Sequence, residues 1–357
     1  MKKLNLAIIG QGRSGKNIHG NYYRSESNKY YTVKYVVDFD ERRRRVAEEI
    51  YPGCIALSDY TELYGKEDID LVVNATFSET HYSITRDLIE HGFNVLVEKP
   101  FGRNKYECHT LMALAKERGV TLAVFQQSFY APYYKFAMEL AKSGKLGEIK
   151  QVNVSFNGFA RRWDWQTLQK KCAGGTFNTG PHPIGIGLAF LNFDPSVRVA
   201  YSKLGLALTS GDGDDYSKII LAAAEGPTVD IEICSCDAYT DYNIKIMGSR
   251  GTFKCNTKSY KYTYITDEEN PPRPVIEKFL EDEDGNPIYC KETLVKHTEE
   301  GTFDGTAFDI GTASLYEELY FAITENKPMS VSCEMAAEVI GVIETVIAQN
   351  PLPVKYI

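Results

Sequence analysis

No stretch of this 357-residue chain approaches the ~18 uninterrupted apolar residues that a membrane-spanning helix requires. Its opening, MKKLNLAIIGQG, has an apolar run (Leu6–Ile9) too short for the core of a secretory leader, and it runs into glycines instead of a cleavage site. There is no basic excess. Lys and Arg number 40 against 48 Asp and Glu, a formal net charge of −8, so the chain has no general attraction for phosphate backbones or anionic lipid. That excludes the usual nucleic-acid-binding and membrane-surface classes. Eight cysteines are scattered without a CxxC or a Cys/His cluster of zinc spacing, so no metal site is expected and reduced thiols in a cytoplasmic protein are the plain reading. One CxC, Cys234 and Cys236, falls in a strand-like run with both side chains on one face, where core packing explains it better than a metal. Internal repeats and low-complexity tracts are lacking too.

What is present is ordinary globular composition, 43% apolar and 25% charged, at a length that suggests two domains. Over residues 1–125 short apolar strands alternate with amphipathic helices. Strand runs are Lys3–Ile9, Val33–Val37, Ile69–Thr76, Asn94–Val97 and Thr121–Phe125. Helical stretches reach to about Arg24, then cover Thr80–His91 and Tyr106–Arg118, with Gly119 as C-cap. This alternation means βαβ units and a doubly wound parallel sheet, the α/β class. From about Gly147 the pattern changes. Val152, Val154 and Phe156 alternate with polar residues. Strand-like runs follow at Val197–Leu206, Lys218–Ala223, Thr228–Cys234, Tyr242–Ile246, Thr252–Cys255 and Tyr260–Ile265, separated by turn residues. The pattern predicts an open, largely antiparallel sheet in an α+β domain over 126–357. Asp267–Asp284 is acidic and proline-bearing and reads as a solvated loop. Two helical patterns, about Phe308–Thr324 and Glu334–Gln349, close the chain.

Gly10-Gln-Gly12-Arg13-Ser14-Gly15 is a GxGxxG turn between a predicted strand and helix. Its first glycine permits the tight turn, its second lets the backbone approach a pyrophosphate, and its third lets helix pack on strand. Free N–H groups and the positive helix end then hold the anion. Asp38 closes the next strand, 23 residues past Gly15, where its carboxylate can accept hydrogen bonds from both adenosine ribose hydroxyls. That favours NAD over NADP, whose 2′-phosphate it would repel. The neighbouring run Arg42–Arg45 could pair with that phosphate, or form a solvated helix face with Glu41, Glu48 and Glu49.

Taken with Asn74-Ala75-Thr76…His81, Glu98-Lys99-Pro100, Gly174-Gly175-Thr-Phe-Asn178-Thr-Gly180-Pro-His182 and Met247-Gly-Ser-Arg-Gly251-Thr-Phe, this turn resembles the Gfo/Idh/MocA oxidoreductases. The resemblance spans nearly the whole chain. It implies a Rossmann domain at residues 1–125, and a substrate-binding and oligomerisation domain at 126–357 whose sheet face carries contacts between copies, commonly in dimers or tetramers. It maps the family's lysine onto Lys99 and its histidine onto His182. The family's aspartate position is Asn178 here, a departure that removes electrostatic support for a protonated histidine. The implied chemistry moves a hydride between a secondary alcohol and nicotinamide. His182 exchanges the proton, and the Lys99 ammonium stabilises charge on the oxygen. Thr76, Glu98 and Lys99 border the cofactor, and His81 plays a structural part beside it.

Both tryptophans lie in Arg161-Arg162-Trp163-Asp164-Trp165. Indole faces stack on sugar rings and Arg/Asp pairs bind hydroxyls, so Trp163 and Asp164 join Asn178, Gln127 and Tyr130 as substrate candidates. A packed loop or a subunit contact is the competing explanation. The expected substrate is a neutral sugar, glycoside or cyclitol, with oxidation at C3 of a pyranoside a leading case. Two other functions stay open: a glycosidase that oxidises its substrate transiently on a tightly held NAD, and a non-catalytic NAD-bound regulatory protein.

Overall fold

The structure, a computed structural model, describes residues 2–356. Its first sheet has six parallel strands, β1 (Leu4–Ile9), β2 (Tyr31–Val37), β3 (Ile55–Leu57), β4 (Leu71–Asn74), β5 (Val95–Glu98) and β6 (Leu122–Phe125). They lie in the order 3-2-1-4-5-6. The order reverses between β1 and β4, which opens a crevice at the carboxyl ends of those strands. β1, β4 and β5 are buried on both faces because helices cover each side. The short β3 has no clear sequence signal, since Ile55 is exposed at the sheet edge.

A wide helical turn over Arg13–His19 leads into α1 (Gly20–Arg24). Next come α2 (Glu41–Ile50), α3 (His81–Glu90) and α4 (Lys105–Arg118). Capping residues set their ends: the Asp40 side chain accepts from Arg42 N, Asn104 accepts from Glu107 N, and Gly119 stops α4 in the left-handed region at φ 67°.

Past α5 (Pro132–Lys142), a helix that the hydrophobic pattern did not separate, the second sheet begins. It comprises β7 (Ile149–Ser155), β8 (Arg198–Gly205), β9 (Tyr216–Ala222), β10 (Thr228–Cys234), β11 (Ile244–Gly248), β12 (Gly251–Cys255), β13 (Ser259–Tyr264) and β14 (His297–Thr302). The order is 14-13-12-11-7-10-9-8, antiparallel at every pairing except β7 with β10. Inward residues such as Val152, Ile231, Ile246 and Phe253 are fully buried, while alternate residues face outward.

Short α6 (Gly175–Asn178) and then α7 (Pro181–Phe190) leave the loop after β7. α7 is apolar on all sides and buried from Pro183 to Ala189, wedged against the sheet. A Cβ at Gly187 would come within 2.9 Å of Ile231 and Val229. Of the closing helices α8 (Thr312–Glu325) and α9 (Cys333–Gln349), α8 returns to the first sheet. Its Tyr316 stacks on Tyr22 at 4.6 Å and meets Tyr23 and Tyr31 edge-on. One apolar core runs from β1 and β4 through α7 and α9 into the second sheet. Among the described residues no helix is long and apolar enough to cross a membrane.

Candidate active site

A cleft of about 710 Å³ opens at the carboxyl ends of β1, β4 and β5, and residues 162–182 face it from the second domain. Its floor is the glycine turn. Gly10 has φ +91°, and a Cβ there would sit 2.5 Å from the Ala75 carbonyl oxygen; at Gly15 it would sit 1.8 Å from the Gly10 oxygen. At Gly12 nothing lies within 4 Å, so the backbone is bare toward the cleft. Gly10, Gly12, Arg13, Ser14, Asp38, Thr76, His81, Glu98 and Lys99 all line this space, with Gly15 buried just behind. The Asp38 carboxylate is held by Gln11 N at 2.7 Å and Asp40 N at 2.9 Å. These residues fit a dinucleotide: a bare peptide at the start of a helical turn for the pyrophosphate, and a fixed carboxylate at the next strand end for the ribose.

Each arginine of the run Arg42–Arg45 has its own partner. Arg42 pairs with Asp40, Arg43 with Asp38 at 3.5 Å, and Arg45 with Glu41, while Arg44 donates to the Asp38 and Phe39 carbonyls. Arg43 alone of the four lines the cleft.

Behind the floor, Glu98 is buried yet charged. Burial raises its pKa, but the His19 imidazole, the Lys99 ammonium and the Ser14 hydroxyl outweigh this and bring it to about 2. His19, fully buried, contacts Glu98 at 3.2 Å through Nε2 and the Tyr316 hydroxyl at 2.7 Å through Nδ1; Tyr23 donates onward to Tyr316. His81 is bonded to the Pro100 and Thr76 carbonyls, tying the loop after β4 to the one after β5. Thr76 bonds Asn74 through its hydroxyl at 2.7 Å.

Lys99 follows β5 and extends its ammonium to the main-chain oxygen of Asn178 at 2.6 Å, bridging the two domains. Burial lowers its pKa, and Arg13 and Arg162 lower it further against the opposing pull of Glu98. His182 sits in the first turn of α7 on the same cleft, with Nδ1 3.0 Å from Ser128 Oγ. Burial, then the Lys99 charge, push its pKa down to about 3, so the imidazole is neutral at physiological pH. The Asn178 side chain donates to Gln166 O at 2.7 Å. Gln127 is buried on the cleft wall with its carboxamide oxygen unpartnered among the described residues.

Asp164 lines the cleft, paired with Arg162 at 2.7 Å and accepting from Gln166 N. Burial works against its ionisation, but Arg162 keeps its pKa below the ordinary value. Two expected substrate residues lie elsewhere. Trp163 is 77% exposed and does not line the cleft. Tyr130 is buried, with its hydroxyl committed to Glu318 at 2.7 Å. Trp165 occupies the cleft instead, meeting Phe77 edge-on at 4.9 Å.

Two family models match the chain. Residues 4–126 match an oxidoreductase family with an NAD-binding Rossmann fold, and residues 134–254 match the C-terminal domain of the same family. The chain belongs to the Gfo/Idh/MocA oxidoreductases. Its first domain is that family's NAD-binding domain. YhhX, an oxidoreductase of Escherichia coli (strain K12), is 32% identical over 43% of this chain, an alignment spanning only 44% of that relative's length. The 2,7-anhydro-N-acetylneuraminate hydratase of Mediterraneibacter gnavus is 24% identical over 81% of this chain and 77% of its own. The NADP-dependent scyllo-inositol 2-dehydrogenase IolW of Bacillus subtilis is 26% identical over 51% of this chain and 50% of its own. Among solved structures, GenD2 from gentamicin A biosynthesis, in complex with NAD, shares the fold with a TM-score of 0.74 at 21% identity, over 98% of this chain and 94% of that one.

In this Gfo/Idh/MocA chain several residues that shape the site carry no sequence signal of their own. His19 carries none because its partners Glu98 and Tyr316 are distant in sequence. Asp214, in the turn Gly211-Asp-Gly-Asp-Asp215, accepts from Thr176 N at 2.8 Å and Thr176 Oγ1 at 2.7 Å, anchoring α6 and with it Asn178. Ser128 orients His182 from the loop after β6. The one available clue was the run of three aspartates among glycines at 211–215, which reads on its own as an exposed turn.

Proposed function

We propose that this protein moves a hydride between NAD and a secondary alcohol of a sugar, glycoside or cyclitol, with oxidation at C3 of a pyranoside the first case to test. The carrying observation is that Lys99 and His182, from different domains, border one cleft with the glycine turn. Nicotinamide, when bound, supplies the hydride acceptor. The chain's own residues manage the proton and the oxygen. Neutral His182 donates Nδ1–H to Ser128, which leaves Nε2 free to take the hydroxyl proton. The Lys99 ammonium, steadied by the Asn178 carbonyl, donates to the substrate oxygen as negative charge grows on it. Gln127, with an acceptor atom in need of a donor, takes a neighbouring hydroxyl, and Arg162 and Asp164 offer a donor–acceptor pair for others.

NAD is preferred over NADP because the Asp38 carboxylate is fixed by two main-chain donors. The Arg43 guanidinium beside it leaves NADP as the weaker cofactor. In this reading the protein is a homo-oligomer, a dimer or tetramer, acting in the cytoplasm. The relatives' names favour carbohydrate-like substrates. The hydratase among them favours a second reading, in which the substrate is oxidised transiently and the dinucleotide leaves each turnover unchanged.

The test is a panel of sugars, inositols and glycosides incubated with protein and NAD, scored by absorbance at 340 nm and by product mass. NADH formed in step with a ketone product supports the first reading. Product with a flat trace supports the second, and no product across the panel would overturn both.

A further inference from the structure

A line of four buried polar side chains ends on the cleft. Tyr23 in α1 donates its hydroxyl to Tyr316 in α8, the Tyr316 hydroxyl lies 2.7 Å from Nδ1 of His19, and Nε2 of His19 lies 3.2 Å from Oε1 of Glu98. All four are buried, His19 and Tyr316 completely. A hydroxyl has one hydrogen to give. Tyr316 receives one from Tyr23, so its own goes to its other partner among the described residues, His19 Nδ1. Nε2 therefore carries the imidazole hydrogen and donates it to the carboxylate. The tautomer of His19 is thus set by a residue 297 positions away, on a helix that returns from the far end of the chain.

The other carboxylate oxygen, Oε2, accepts from the Lys99 main-chain N–H at 3.1 Å, and the Ser14 hydroxyl of the glycine turn bonds the same group. Phe125 covers the His19 ring at 4.3 Å, and Tyr22 stacks on Tyr316 at 4.6 Å. A purely structural staple needs no ionised group here, since apolar side chains would fill the space without desolvating a carboxylate. What this network provides, and apolar packing could not, is a negative charge held in one place where Glu98 borders the cleft. The Lys99 ammonium is committed to the Asn178 oxygen on the opposite wall and forms no ion pair with Glu98 among the described residues. A nicotinamide ring is positively charged when oxidised and neutral when reduced. A fixed negative charge in a water-poor wall therefore favours the oxidised form.

We infer that His19, oriented by Tyr23 and Tyr316, is a positioning residue that holds the Glu98 carboxylate in place at the cleft, and that this fixed charge makes the cleft bind oxidised dinucleotide in preference to reduced. The inference rests on the placement of nicotinamide beside Lys99 in the proposed function. It adds that the reduced form is the more weakly held, so a hydride taken up by the ring is readily passed on or carried away.

The experiment titrates full-length wild type, His19→Leu, His19→Gln and Glu98→Gln with NAD and with NADH by fluorescence and compares the ratio of Kd for NAD to Kd for NADH. Structural damage weakens both forms alike and leaves the ratio where it was, whereas loss of the fixed charge weakens NAD alone. Glu98→Gln removes the charge and is expected to raise the ratio about tenfold. His19→Leu should raise it by about fivefold or more. His19→Gln, whose amide can accept from Tyr316 and donate to Glu98, should stay within about twofold of wild type. His19→Leu strands the Tyr316 hydroxyl in the core, so the double variant His19→Leu, Tyr316→Phe is made beside it to relieve that cost, with the same rise expected. A ratio that moves in Glu98→Gln but in neither His19→Leu protein, or that moves as far in His19→Gln as in His19→Leu, would overturn the positioning role and leave the proposed function standing. A ratio unmoved in Glu98→Gln as well would put nicotinamide away from Lys99 and overturn the proposed function with it.

Discussion

The two walls of the cleft are built differently. The wall from the first sheet is mostly main chain and local sequence: a glycine turn, then Asp38, Thr76 and Lys99 within one or two residues of a strand end. The facing wall, residues 162–182, is hung from carboxylates far along the chain. Asp212 accepts from Gln169 N at 2.9 Å and from Lys355 N at 2.9 Å; Asp214 holds Thr176; Asp215 takes the amides of 207–209. The first wall depends on space at a few Cα positions, and the second on buried charge. Sensitivity to substitution, to pH and to added methyl groups should therefore separate along the same line.

The largest effect tests the point where the walls meet. Lys99→Ala and His182→Ala should each lower kcat about a thousandfold, while NAD affinity by fluorescence titration stays within about twofold. The double variant should fall little further, because the two groups serve one transfer. Turnover near wild type in either variant would remove the pair from the chemistry.

Next come the glycines of the first wall. Gly15→Ala forces a methyl against the Gly10 oxygen, so it should lower the Tm and raise the Kd for NAD more than about tenfold, at a cost of about 1–3 kcal/mol. Gly12→Ala meets nothing in the protein, so its Tm should match wild type while its Kd for NAD still rises. A Gly12→Ala protein that binds NAD normally would show that the pyrophosphate does not lie over this turn.

For the second wall the matching test is pH. Burial raises the Asp214 pKa to about 6, with Asp215 adding to it and the Thr176 donors opposing. A carboxyl whose folded pKa lies above its unfolded value contributes stability that is whole at low pH and is lost as pH rises through the folded value. Asp214→Asn cannot ionise. Between pH 4 and 7 wild type should therefore lose roughly 3 kcal/mol relative to the variant, at about 1.4 kcal/mol per unit. Denaturant melts at the two pH values measure this, and parallel curves would mean that Asp214 stays ionised throughout.

The same division explains what could be read from the chain. The parallel sheet, the dinucleotide turn, Asp38 and Lys99 rest on short-range signals: strand, glycine turn and helix follow one another, and each site residue ends a strand. β3 gives no signal because it is only three residues long, and β14 because its six edge residues, HTEEGT, include no apolar side chain. His19 and Asp214 escaped because their partners lie 79 and 38 residues away, a pairing that only the closed fold creates. The aromatic pair at 163 and 165 was recognised as a unit. Alternation alone could not say which ring faces inward, since the segment is not a strand.

That pair carries the smallest effect. Trp165 reaches across to Phe77, which follows β4 on the first wall, and Lys171 beside it bonds Glu79 at 2.5 Å. The ring thus spans both walls, where a sugar face would lie. An aromatic contact of this kind contributes ~0.5–1.5 kcal/mol, so Trp165→Ala should raise KM for the sugar by roughly tenfold or less and leave kcat nearly unchanged. Trp163, exposed on the outside of the loop, should tolerate alanine with KM within about twofold. If instead Trp163→Ala raises KM and Trp165→Ala does not, the loop turns its other face inward when substrate binds. The second wall would then be the mobile one, despite its carboxylate anchors.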